Sequence, residues 1–181
     1  MNPSVRNRPT ILFFDVNETL LDLSGLEQRI DDVLSTEGAA TLWFTTMLQY
    51  SLVMTVSGQY AALSDIGVAT LKMIAKNHDV VLADTEARDI VGSIRSLPAH
   101  PDVLPALVEL KSMNLRMVAL TNSSDACVAE QLANAGIGNL FERHLSAESL
   151  RRYKPHQSVY HWAANEFQQE PSNTILVAAH G

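Results

Sequence analysis

An uninterrupted apolar run, Ile11 to Phe14, ends abruptly on an acid, Asp15, and the polar residues Asn17, Glu18 and Thr19 follow at once. A short run without polar alternation suits a strand buried on both faces of a parallel sheet. The turn-forming residues after it suit that strand's C-terminal end, where open α/β sheets bind ligands. A carboxylate at such a place has three uses: nucleophile, metal ligand or general base.

Two more runs share this form. Leu115 to Thr121 (LRMVALT) ends in polar TNSS, and Thr174 to Ala179 (TILVAA) ends at His180 and Gly181. Helical patterns separate the runs. Residues 101–114 place Val103, Leu104, Leu107, Leu110 and Met113 at helical spacing. Residues 124–136 do the same with Cys127, Val128, Leu132 and Ala135, and Gly136 is a suitable C-cap. Residues 155–167 open on a proline and place Val159, Trp162, Ala163 and Phe167 inward. Strands alternating with helices predict an α/β fold built on a parallel sheet with right-handed crossovers.

Residues 23–97 break the alternation. They hold no convincing strand, and helical segments are expected near 25–35, 39–57, 58–77 and 84–96. One crossover helix needs far less chain. The segment reads as a helical cap inserted after the first strand, splitting the core into residues 1–22 and 98–181. Its many apolar residues, among them Leu42, Met47, Leu52, Val53 and Val56, are expected mostly to form cap core, with some lining a pocket between cap and core, for which Trp43 and Phe44 are the substrate-binding candidates.

Composition removes several classes. The 181 residues suffice for one core plus an insertion, and 46% of them are hydrophobic. A formal net charge of −7 argues against nucleic-acid binding, which needs a concentrated basic face. The single cysteine, Cys127, excludes an intramolecular disulfide, fits a reducing compartment and reads as a small buried apolar residue. Residues 1–10 lack the apolar core of a signal peptide, and no run is long enough to span a bilayer. A cytoplasmic protein with no membrane partner is expected.

In a parallel sheet the strand ends converge on one crevice. Asp15, Thr121 with Asn122, and Lys154 in RYKPHQSVY therefore meet although they are far apart in sequence. Lys154 can keep Asp15 ionised and oriented. Thr121 and Asn122 can donate hydrogen bonds to a substrate oxygen or a bound anion. Thr19 can bond an Asp15 oxygen or cap the loop. His180, at a strand end, can touch the site or position a water.

FDVNETLLD, then LTNSS, then YKP resemble the first three motifs of the haloacid dehalogenase superfamily, and the segment FERHLSAESLRRYKPHQSVYHWA resembles its type II 2-haloacid dehalogenase branch. The resemblance covers nearly the whole chain. It implies a Rossmann-like core and Asp15 as nucleophile, with no metal and no other cofactor. Phosphatases of the superfamily carry a second Asp two residues later as general acid. Asn17 stands there, and an amide is no acid. Halide leaves without a proton, so the substitution fits carbon–halogen cleavage. The resemblance implies attack by Asp15 on the halogen-bearing carbon of a small halogenated carboxylate, then hydrolysis of the ester. Thr121 and Asn122 would hold the substrate carboxylate, Asn17 would line the site and Lys154 would steady Asp15. A homodimer also belongs to this expectation.

Two departures stand beside it. The branch carries an arginine just after a cap tryptophan, for substrate binding and halide capture; here Trp43 is followed by Phe44, which can shape an apolar pocket but cannot form a bidentate carboxylate contact. The chain also stops at AAHG, short of the acidic group expected in the fourth motif, so the last part of the core is expected to be missing. Two alternatives stay open: a magnesium-dependent phosphatase, and a degenerate or truncated family member with little activity.

Overall fold

The computed structural model describes residues 9–179. Four parallel strands form one sheet: β1 (Ile11–Phe14), β2 (Arg116–Thr121), β3 (Arg143–Ser146) and β4 (Thr174–Val177), in the order β3-β2-β1-β4. Central β1 pairs Ile11 with Arg116 on one side and with Thr174 on the other. Its alternation divides the core. Leu12 and Phe14 join Met117 and Ala119 in a large cluster on one face, while Ile11 and Phe13 join Val118 and Leu120 on the other. A strand buried on both faces has no use for polar alternation, which is why this one reads as a plain apolar run.

The helices are α1 (Ser24–Leu34), α2 (Ala39–Val56), α3 (Leu63–Asn77), α4 (Asp84–Gly92), α5 (Val103–Ser112), α6 (Asp125–Asn134) and α7 (Gln157–Asn165). The first four lie between β1 and α5 in sequence. Chain entering and leaving them runs side by side: the Asp22 N–H donates to the Pro98 carbonyl at 2.9 Å and the His100 N–H to the Leu20 carbonyl at 3.0 Å. Helix α1 buries Leu26, Ile30 and Leu34, one residue per turn, and stops at Ser35, whose left-handed φ of 48° closes the end. Helix α2 buries Trp43, Met47, Ser51 and Thr55 at the same spacing. Gly67 of α3 lets α2 approach closely, since a Cβ there would meet the Met47 sulfur at 3.1 Å.

Two expectations are corrected. The sequence offers three strands, yet β3 adds a fourth at the edge of the sheet. It is only four residues long and carries one buried apolar side chain, Leu145, so it gives no apolar run. The apolar residues of α2 were expected mostly in the cap core, yet Leu42, Tyr50, Leu52, Val53 and Val56 are exposed. An 18-residue helix whose apolar residues are spread around its whole circumference gives no period from which to choose its buried face. Among the described residues no helix is long and apolar enough to cross a membrane.

Candidate active site

The first strand delivers Asp15 one residue past its end, and the Asp15 N–H donates to the Val177 carbonyl at 2.9 Å, so the neighbouring strand fixes its backbone. The turn that follows is tight: the Leu20 N–H donates to the Val16 carbonyl at 2.8 Å, and Glu18 takes a left-handed φ of 63°. A non-glycine residue there costs roughly 1–2 kcal/mol, so the surrounding bonds must hold the turn. The turn brings Thr19 back over the carboxylate, where its hydroxyl donates to Asp15 Oδ2 at 3.3 Å and accepts the Ala179 N–H at 2.9 Å.

Lys154 arrives from the loop before α7. Its ammonium donates to Asp15 Oδ1 and to the Leu120 carbonyl, each at 2.6 Å. Burial pushes this ammonium below the ordinary lysine range, and the Asp15 charge and hydrogen bond pull it partly back. The backbone around it is clamped. The Lys154 N–H donates to Asn122 Oδ1 at 2.7 Å, and Asn122 Nδ2 donates to the Lys154 carbonyl at 3.3 Å. The preceding N–H, of Tyr153, donates to Thr55 Oγ1 at 3.1 Å, and the buried Tyr153 hydroxyl donates to the Ala61 carbonyl. Helix α2 and the α2–α3 connection thus help to place the lysine.

Asp15, Asn17, Phe44, Thr121, Asn122 and Lys154 all line one cavity of about 330 Å³. Two residues that sequence reasoning passed over join them. Glu18 lies on the wall, and Tyr160, half-buried one turn into α7, presents its phenol. Burial and the nearby Asp15 charge raise the Tyr160 pKa, so its hydroxyl stays protonated and able to donate. Its position one turn beyond the Lys-Pro pair was a usable signal.

The geometry redirects three expectations. The Asn122 amide, expected to face a substrate oxygen, is engaged on both sides by the Lys154 backbone. Asn17 faces the cavity, but its amide donates to Ser123 Oγ at 3.1 Å and accepts from Gln131 Nε2 at 2.9 Å. Gln131 is fully buried and also donates to the Ile94 carbonyl at 3.0 Å, which fixes the orientation of both amides. Trp43 is not brought to the Asp15 cavity; it is 1% exposed among α2, α3 and α4, and its indole N–H donates to the Gly67 carbonyl at 2.8 Å. His180 lies outside the described residues. Cys127 is buried as expected, and burial raises its thiol pKa.

The family model described as haloacid dehalogenase-like hydrolase matches residues 9–177. The chain belongs to this family. Its matched curated relatives are named 2-haloacid dehalogenases. The (S)-2-haloacid dehalogenase H-109 of Pseudomonas putida is 26% identical over 151 residues, spanning 82% of this chain and 67% of that protein. The (S)-2-haloacid dehalogenase 4A of Burkholderia cepacia is 26% identical over 168 residues, spanning 92% and 73%. The fold matches that of the L-2-haloacid dehalogenase from Xanthobacter autotrophicus with chloropropionic acid covalently bound, at a TM-score of 0.85 and 20% identity over 93% of this chain and 69% of that one.

Proposed function

We propose that this member of the haloacid dehalogenase-like family is a hydrolytic dehalogenase of small 2-haloacids and their close derivatives, with Asp15 as nucleophile. One observation carries the reading: a carboxylate and an ammonium 2.6 Å apart at a cavity wall, in a chain whose curated relatives are named (S)-2-haloacid dehalogenases.

Asp15 Oδ1 is held by Lys154, whereas Oδ2 has only the longer bond from Thr19, so Oδ2 is the freer to attack. Attack forms the Oδ2–carbon bond and breaks the carbon–halogen bond, and halide departs with the electron pair. Oδ1 becomes the ester carbonyl oxygen. Water then adds to the ester carbon, and negative charge develops on Oδ1 beside the Lys154 ammonium, where a fixed cation is most effective. Collapse releases the hydroxylated product and restores the carboxylate, one oxygen of which comes from water. Asn17, an amide held between Ser123 and Gln131, supplies no acidic proton, and a departing halide needs none. Helices α1–α4 act as a cap that keeps bulk water from the ester.

The test is halide release from chloroacetate, 2-chloropropionate and their amides, with Asp15→Asn as the blank. A single turnover in 18O-water with enzyme in excess should place label in Asp15 and leave the product unlabelled. Release that survives in Asp15→Asn, or label in the product alone, would overturn the mechanism.

A further inference from the structure

Among its described residues the cavity around Asp15 holds no second cation for a second anion. Its described charged residues are two acids, Asp15 and Glu18, and one base, Lys154. The base is already bonded to Asp15 and to the Leu120 carbonyl at 2.6 Å each. The amides of Asn122 and Asn17 are engaged with the Lys154 backbone and with Ser123 and Gln131. The rest of the wall offers only neutral hydroxyls, of Ser51, Thr121 and Tyr160, and is otherwise largely apolar: Phe44, Met47, Leu48, Leu52, Leu63 and Leu176.

The reaction itself tolerates such walls. Negative charge passes from Asp15 to the halide, so the total charge in the cavity does not change. A substrate carboxylate adds one charge throughout, beside Asp15 and with no further cation among the described lining residues. Burying an ion without a partner is far more costly than burying a neutral amide or ester.

We propose that this site prefers neutral α-halo carbonyl compounds, small 2-haloamides and 2-haloesters, over the corresponding 2-haloacid anions. The inference rests on the dehalogenase reading and narrows its substrate class. In the amide case Asp15 Oδ2 bonds the α-carbon, halide leaves, and water hydrolyses the ester to the 2-hydroxyamide. The amide group itself is unchanged. The Tyr160 phenol, also on the wall, is a neutral donor suited to an amide or ester carbonyl.

The experiment compares kcat/KM for halide release from 2-chloroacetamide and chloroacetate. Each value is divided by the rate of uncatalysed displacement from that compound by acetate ion, which removes the amide's greater intrinsic reactivity. Multiple turnovers and the Asp15→Asn blank exclude simple alkylation of Cys127. The corrected ratio should favour the amide at least tenfold. Phe44→Arg, which adds a cation to the wall, should move the ratio at least tenfold toward the acid, whereas Phe44→Leu should keep the amide preference. A corrected ratio near one, or favouring chloroacetate, overturns the inference and leaves the dehalogenase reading intact. Halide release from neither compound overturns both.

Discussion

Lys154 Nζ stands 2.6 Å from Asp15 Oδ1, and the same ammonium is anchored at 2.6 Å to the Leu120 carbonyl, at the end of the neighbouring strand. The lysine is therefore fixed to the sheet and to the carboxylate together, and only about a tenth of its side chain is exposed. Its charge lies beside Oδ1, which in the proposed mechanism forms no new bond in the first half-reaction and takes the developing charge in the second. Lys154→Met should therefore impair ester hydrolysis more than ester formation. We expect kcat to fall by about 10²–10³-fold and the alkyl-enzyme to accumulate. Intact-mass spectrometry after mixing with substrate would show the adduct; an equal loss of both steps, with no adduct, would contradict this assignment.

Much of the frame around this pair was legible before any coordinates, for a physical reason. β1, β2 and β4 are apolar runs ending in polar turns, and a parallel sheet gathers such ends together. β3 was not legible, because a four-residue edge strand with one buried apolar side chain leaves no run to detect. Side-chain partners were less legible still. Nothing in TNSS says that the Asn122 amide brackets the Lys154 backbone rather than a substrate, nor that Gln131, on α6, holds Asn17. Those contacts depend on angles between elements far apart in sequence. The two faces of α2 were also indistinguishable, since a helix with apolar residues spread on every side carries no amphipathic signal.

Burial sets the direction of a pH effect. The Lys154 ammonium titrates below its ordinary 10.5 because desolvation opposes the charged form, and Asp15 offsets only part of this. The proposed mechanism uses the ammonium in ester hydrolysis, so kcat should fall on the alkaline side with an apparent pKa below 10.5. Stability moves the other way. Between the folded and unfolded values the unfolded chain binds more protons at this lysine, so unfolding free energy rises with pH in that window and the contribution is lost as pH falls through the folded value. Denaturant midpoints of wild type and Lys154→Met, measured as pH approaches 10.5, should diverge in favour of wild type. A shrinking difference would mean that the folded value is raised.

Thr19 joins two parts of the site through one hydroxyl, donating to Asp15 Oδ2 at 3.3 Å and accepting the Ala179 N–H at 2.9 Å. Thr19→Val keeps the shape and removes both bonds. Loss of a partly exposed pair of this kind should lower stability by about 1 kcal/mol, and misplacement of the proposed nucleophile should lower kcat roughly tenfold or more. Thr19→Ser should recover most of both. Steady-state kinetics with a thermal melt on each variant would check this, and failure of serine to rescue would show that the methyl group, not the hydroxyl, matters.

Buried Gln131 donates to Asn17 Oδ1 at 2.9 Å and to the Ile94 carbonyl at 3.0 Å, tying the loop after β1 to the turn after α4. Gln131→Met retains most of the volume and removes both donors. Two acceptors lose a partner, so a loss of roughly 1–3 kcal/mol is expected, seen as a lower denaturant midpoint at unchanged slope. Release of Asn17 should also raise KM, because its side chain lines the cavity. An unchanged midpoint would show that water replaces the amide without loss.

Trp43 and Phe44 are adjacent in sequence and face different surroundings. Phe44 lines the Asp15 cavity, whereas Trp43 is buried within the helices with its indole N–H on the Gly67 carbonyl at 2.8 Å. That carbonyl also accepts from Thr70 Oγ1 at 3.0 Å, so it keeps one partner if the indole is removed. Trp43→Phe should therefore cost about 1–2 kcal/mol, or roughly 2–8 °C in Tm for a chain of this size, with KM within about twofold of wild type because the cavity wall is intact. Phe44→Ala should do the reverse, raising KM with a smaller loss of Tm, since its ring is only half-buried. Paired melting curves and Michaelis–Menten measurements on the two variants separate these outcomes. A Trp43→Phe protein with normal Tm and a raised KM would return the tryptophan to the substrate pocket, where the sequence first put it.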